Sequence, residues 1–202
     1  MRKLLDPDDA ARGLRRLAGQ IIERHRGTDK LLLVGVHRGG VPIAETLAAL
    51  LKEHGDDVPV GTVDISLYRD DAAVVLPNAR LHPTHLPLDI KGRRVVLCDD
   101  VLCTGRTTRA AVDALLDYGR PAQIELAVLL DRTGRELPIQ ADYFVKKIEV
   151  PSNERVDVLV EQGRFTAIAV PEGSPSTAPC APPGENAPAT DALPASFTKD
   201  IQ

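Results

Sequence analysis

Four short β-rich runs, LLLVGV at 31–36, VGTVDISLY at 60–68, RRVVLCDD at 93–100 and IELAVLL at 124–130, constrain this chain more than any other feature. LLLVGV is a continuous apolar run that suits a strand covered on both faces, and IELAVLL reads as a further buried strand. Between them the apolar residues recur at helical spacing. Leu14, Leu17, Ala18, Ile21 and Ile22 form one stripe, Ala44, Leu47, Ala48 and Leu51 a second, and Ala111, Val112, Leu115 and Leu116 a third. Asp6 followed by Pro7 predicts the start of the first helix, with an N-cap and a proline at the first helical position, and Gly27 marks its end. Strands alternating with helices pair in parallel. The sequence therefore predicts an α/β fold with a doubly wound, mainly parallel central sheet and flanking helices.

Length and composition set the outer bounds. A chain this long buries ~70% of its unfolded surface, so its core needs no metal or disulfide. With 3% aromatic residues and no tryptophan, that core is built from Leu, Val, Ile and Ala. No window approaches a membrane span, and MRKLLDPDDAARG puts acids where a signal peptide needs its apolar run, so a cytoplasmic location is expected. Cys98, Cys103 and Cys180 show no CxxC spacing, and reduced thiols are expected.

The net charge of −4 argues against a nucleic-acid partner until it is divided along the chain. Residues 171–202 carry Glu172, Glu185, Asp191 and Asp200 against Lys199, so most of the negative charge lies there. That stretch also holds seven of the sixteen prolines and no apolar periodicity. It reads as a Pro/Ala-rich disordered tail on a folded domain of residues 1–170. Residues 1–30 hold eight basic side chains against five acids. Between Asp70 and Ile90 the proline-bearing stretch reads as a long loop or a hairpin flap, and a loop that long in a compact domain is usually functional.

The chemistry concentrates in VVLCDDVLCTGRT at 95–107. An apolar strand ends in Asp99 and Asp100, then turns through Thr104, Gly105, Arg106 and Thr107 into a helix. Ligands of open α/β sheets bind at the carboxyl ends of the strands. A Gly-containing turn at a helix N-terminus offers backbone N–H groups to an anion, and the Thr104 and Thr107 hydroxyls add donors. Carboxylates facing a phosphate would repel it, so the acids suit hydroxyl groups of an attached sugar. Phosphate on the loop and diol on the acids describe a phosphorylated ribose. On residues alone, two acids at a strand end also suit a capping or salt-bridging pair.

This segment resembles the phosphoribosyl-pyrophosphate (PRPP) motif of type I phosphoribosyltransferases. Together with GVHRGGVPIA (35–44), VDISLYRDD (63–71), the continuation to Arg132 and RELPIQADY (135–143), the chain is similar to the PyrR family over roughly residues 6–170. The resemblance implies a type I phosphoribosyltransferase fold with a small hood and a flexible loop over the site. It implies a Mg²⁺-dependent uracil phosphoribosyltransferase, in which uracil displaces pyrophosphate from PRPP to give UMP. By position it puts the catalytic and metal-holding role on Asp99 and Asp100. It extends PRPP binding to Arg38, Gly39, Gly40, Arg69, Val101, Leu102, Cys103, Thr104, Gly105, Arg106 and Thr107. Arg80 and His82 fall on the flexible loop, and Val145 and Lys146 on the base-binding segment. His37 reads as a surface histidine rather than a base. Purine enzymes carry an aspartate base where Cys103 stands, which a thiol replaces poorly, so the family likeness speaks against a purine substrate. PyrR relatives commonly carry tyrosine there, glycine at Val145 and proline at Glu149.

The same resemblance implies UMP-dependent binding to pyr-operon leader RNA, a homodimer or higher homo-oligomer, and no membrane partner. Arg12, Arg15, Arg16 and Arg24 on the first helix are the candidate RNA contacts, beside the reading of an ordinary solvated face. Two further readings use the same site residues: an RNA-binding nucleotide sensor with little turnover, and a salvage enzyme for another base.

Overall fold

Asp6 caps the first helix as the sequence predicts, accepting from the backbone N–H groups of Asp8 and Asp9 at 3.0 and 2.9 Å. In this computed structural model the described residues are 1–55, 57–70 and 82–174. The elements are β1 (Arg2–Leu5), α1 (Pro7–His25), β2 (Leu31–Val36), α2 (Gly40–Lys52), β3 (Val60–Val63), β4 (Arg94–Leu102), α3 (Arg106–Leu116), β5 (Gln123–Arg132), β6 (Tyr143–Ile148), β7 (Glu154–Glu161) and β8 (Arg164–Pro171). Arg80 and the tail from residue 175 onward lie outside the described residues.

Five strands form one sheet in the order β3-β2-β4-β5-β6, with every pairing parallel. All six residues of β2 are buried, and they divide between the two faces. Leu31 and Leu33 join a core with α1 and α2, whereas Leu32, Val34 and Val36 join a second core with α3. A strand buried on both faces needs apolar side chains at every position, and that is why LLLVGV shows no alternation. Burial of each of these aliphatic side chains contributes about 1.5–3 kcal/mol.

Strand order reverses between β2 and β4, since β3 lies on one side of β2 and β4 on the other. The carboxyl ends of those two strands open a crevice at this switch point. The run at 60–68 yields a shorter strand than its composition suggests. Asp64 accepts from the Ser66 backbone N–H at 2.8 Å and from its hydroxyl at 2.6 Å, and this turn ends β3 at Val63.

A second, antiparallel sheet of β1, β8 and β7 joins the two ends of the described chain and packs on α1. At the opposite end of the large sheet from the crevice, the buried Glu125 accepts from the Tyr143 hydroxyl at 2.9 Å and Gln123 at 2.9 Å. It also pairs with Arg24 at 2.9 Å and His25 at 2.7 Å. Among the described residues no helix is long and apolar enough to cross a membrane.

Candidate active site

Asp99 and Asp100 occupy the carboxyl-terminal part of β4, the central strand, where the Asp100 side chain lies against the turn after β2. Asp99 is only 6% exposed. The Asp100 N–H donates to Asp99 Oδ1 at 3.0 Å, and the Val101 N–H donates to Asp100 Oδ1 at 2.8 Å. Burial, reinforced by the charge of Asp100, pushes the Asp99 carboxyl well above the usual carboxylate range. Burial also raises Asp100, against the opposing pull of the Val101 N–H. The pair is poised for a cation or for hydroxyl donors that would offset this crowding of negative charge.

The turn after β2 fits against these acids because it lacks side chains. A Cβ on Gly39 would lie 2.2 Å from Asp100 Oδ2, and one on Gly40 would lie 1.9 Å from the Cys98 carbonyl oxygen. Arg38 stands exposed beside them, and the His37–Arg38 peptide is cis. His37 is half-buried and stacks on His82, with ring centroids 4.8 Å apart. Burial, then the neighbouring His82, lowers the His37 pKa.

After β4 the chain enters α3 through Gly105, whose φ of 92° is the left-handed conformation that glycine adopts without strain. The Thr104 hydroxyl accepts from the Arg106 N–H at 3.3 Å, and its carbonyl accepts from Glu136 and Leu137 at 3.0 Å each. Thr104, Arg106 and Thr107 line a cavity of about 370 Å³ with Arg69 and Asp70. The Leu102 side chain turns into the core shared with α3, Val101 packs against the opposite core shared with α1 and α2, and the Cys103 thiol is half-buried, 3.9 Å from the Thr133 carbonyl oxygen.

Arg135 lacked an assigned role in the sequence, although it opens the RELPI block. Its guanidinium donates to the carbonyls of Leu102 at 3.3 Å and Arg132 at 3.2 Å, and to the Cys103 carbonyl and Asp131 carboxylate. One side chain thus ties the end of β5 to the loop after β4. A cavity of about 330 Å³ opens there, lined by Asp131, Arg132, Thr133, Arg135, Lys147, Ile148 and Glu149. Val145 and Lys146 do not line it. Val145 packs on Gly13 of α1, where a Cβ would lie 2.2 Å from Val145 Cγ1, and Lys146 Nζ donates to the Leu4 carbonyl at 2.8 Å.

The four arginines of α1 are exposed, and three have partners within the chain. Arg12 pairs with Asp9, and Arg16 donates to the Phe144 and Val145 carbonyls at 3.0 and 2.9 Å. Arg24 pairs with Glu125 and Asp142. Arg15 borders a groove between α1, α2 and the turn joining β7 to β8. Among the described residues no cluster of three or more His, Cys, Asp or Glu is arranged to hold a metal ion. Two carboxylates without a third protein ligand suit Mg²⁺, which keeps waters and substrate oxygens in its coordination sphere.

Residues 2–161 match the phosphoribosyl transferase domain family. The bifunctional protein PyrR of Deinococcus deserti is 50% identical over 160 residues, covering 79% of this chain and 87% of that protein. Its namesake from Listeria monocytogenes serotype 4b is 55% identical over 157 residues, covering 75% and 86%. The chain belongs to the PyrR family. Among solved structures, hypoxanthine phosphoribosyltransferase of Trypanosoma cruzi superposes with a TM-score of 0.64 at 22% identity, over 85% of this chain and 98% of that one. A hypoxanthine-guanine phosphoribosyltransferase of Bacillus anthracis gives 0.64 at 18% identity, over 84% and 97%. At such identities the likeness shows the fold: a type I phosphoribosyltransferase core, carried here by a PyrR-family sequence.

Proposed function

We propose that this PyrR-family chain is a cytoplasmic uracil phosphoribosyltransferase, converting uracil and PRPP to UMP and pyrophosphate, and a UMP-dependent regulator of pyrimidine genes through leader RNA. The observation that carries the catalytic half is the acid pair, Asp99 buried and Asp100 half-buried, beside a threonine-bearing anion loop at the sheet's switch point. Asp99 and Asp100 accept hydrogen bonds from the ribose 2′ and 3′ hydroxyls and hold the Mg²⁺. The Thr104–Thr107 loop binds the 5′-phosphate with backbone N–H groups and hydroxyls. The Arg38-Gly39-Gly40 turn, with Arg69 nearby, receives the pyrophosphate. Uracil occupies the cavity at the ends of β5 and β6, where Asp131, held by Arg135, offers an acceptor to a ring N–H. Mg²⁺ held by these acids would supply positive charge to the pyrophosphate leaving group. The acids stabilise charge that develops on the ribosyl ring, and the reaction needs no protein nucleophile.

Incubation with Mg-PRPP and radiolabelled uracil, orotate, hypoxanthine or guanine, each separately, tests this directly. UMP formation is the expected result. Nucleotide formed from a purine alone would overturn the assignment.

In the regulatory half, the α1 faces of a homodimer or higher homo-oligomer meet RNA phosphates, with Arg12, Arg15, Arg16 and Arg24 as the contacts. Log affinity for leader RNA then falls with log salt at a slope of about −0.7 per phosphate contact. A salt-independent affinity would remove the electrostatic contact, and with it this role for α1.

A further inference from the structure

The loop cavity has a negative charge in its wall. Asp70 lines it together with Thr104, Arg106 and Thr107. Asp70 Oδ2 accepts from Arg106 Nη1 at 2.6 Å, and its Oδ1 accepts from Arg109 Nη2 at 2.6 Å. Arg106 is held on its other side by Glu136 at 2.7 Å, and Arg109 by Asp113 at 2.7 Å and the Tyr68 carbonyl at 2.7 Å. Charges therefore alternate in the order Asp113, Arg109, Asp70, Arg106, Glu136, and of these Asp70 and Arg106 line the cavity.

Two consequences follow for an anion in this cavity. Carboxylates already neutralise the guanidiniums of Arg106 and Arg109, and an incoming phosphate meets the charge of Asp70 at close range. Of the two acids on Arg106, only Asp70 lines the cavity. Its side chain is 44% exposed, so little burial is lost when it withdraws into water. Glu136 still holds Arg106 Nε after that withdrawal, so the guanidinium stays at the cavity with its Nη groups available.

We propose that Asp70 is a built-in competitor of the 5′-phosphate: it occupies Arg106 until a phosphate arrives, and the phosphate must take that arginine from it. The proposal rests on the reading of the Thr104–Thr107 loop as the 5′-phosphate site, and it makes Asp70 a residue that sets affinity. Binding of the phosphate end is weaker than the loop alone would give. Release of a nucleoside monophosphate product is correspondingly faster.

Calorimetric titration of the full chain with UMP, ribose 5-phosphate and uridine tests this, comparing the unaltered protein with Asp70→Asn. Asparagine keeps the size of the side chain and removes its charge. UMP and ribose 5-phosphate are expected to bind Asp70→Asn about threefold to tenfold more tightly at low salt, with uridine unchanged. Asp70→Ser, which removes the side-chain bonds as well, is expected to shift the same way, with melting temperature as the check on folding. Glu136→Gln is expected to give a smaller gain, because Glu136 does not line the cavity. Unchanged or weaker phosphate binding in both Asp70 variants would overturn the proposal, as would an equal gain for uridine. Failure of the unaltered chain to bind UMP or ribose 5-phosphate would instead overturn the reading of the loop, and the proposal with it.

Discussion

Joint replacement of Asp99 and Asp100 by asparagine is expected to lower kcat/KM for UMP synthesis by about 10²–10⁴-fold, in a chain that remains folded. A hydrogen bond to a charged group contributes about 1.5–3 kcal/mol, so two such interactions with the ribosyl hydroxyls amount to roughly 3–6 kcal/mol. The folding half of the expectation follows from linkage. Both carboxyls have folded-state pKa values raised by burial above the unfolded ones. From the unfolded carboxylate pKa up to the raised folded values, the native state therefore holds more protons. Its stability falls as pH rises through that window, and the full cost is present above it. Asparagine carries no such charge, so the double variant is expected to be more stable than the parent at neutral and alkaline pH, with a flatter dependence. Urea midpoints across that range, with steady-state kinetics beside them, check both halves. A kcat/KM within threefold of the parent would remove the acids from the site. The same linkage gives the activity profile. In the proposed role the ionised acids would hold Mg²⁺ and accept from hydroxyls, so turnover is expected to fall as pH drops through the titration of the pair.

What could be read from the sequence was whatever neighbouring residues encode. Asp99, Asp100 and the Thr104–Thr107 turn lie in one short segment, so a strand end followed by an anion loop was visible without the fold. The continuous apolar strands likewise announced a sheet covered on both faces. Other features depend on contacts distant in sequence. Residues alone did not disclose the second sheet, because β1 is four residues long and pairs with β8 at the far end of the domain. Arg135 and Asp70 form their bonds to residues around 30 or more positions away, apart from those of Arg135 to Asp131 and Arg132. Their segments carry the family likeness, but the roles of these two side chains show only in those distant contacts. The family likeness puts the backbone of the segment carrying Val145 and Lys146 near the base, a placement that side-chain direction does not test. Those two side chains turn to α1 and β1, and the side chains around the cavity come from the ends of β5 and β6 and the residues just after them.

Gly40→Ala is expected to cost about 3 kcal/mol of stability and to lower the melting temperature by roughly 6–12 °C, at about 2–4 °C per kcal/mol for a domain of this size. The added Cβ would lie 1.9 Å from the Cys98 carbonyl oxygen and 2.8 Å from its carbonyl carbon. That backbone belongs to β4, which is paired with β2 on one side and β5 on the other, so it cannot move aside. The start of α2 must retreat instead, although Ile43, Ala44, Leu47 and Leu51 anchor the helix as buried residues. The retreat carries Gly39 away from Asp100, so activity falls along with stability. Gly39→Ala separates the two effects, because its added Cβ meets the Asp100 side chain at 2.2 Å, and a side chain can rotate where a central strand cannot. It is expected to keep most of the stability, losing less than about 1 kcal/mol, while activity drops at least about tenfold as the acid leaves its place. Melting curves and kcat/KM measured on both variants decide it: a Gly40→Ala chain that melts within about 2 °C of the parent would show that the turn is not wedged against β4. If the contrast holds, the two glycines serve different ends. Gly40 lets helix and strand touch, and Gly39 leaves room for Asp100 beside the turn proposed to receive pyrophosphate.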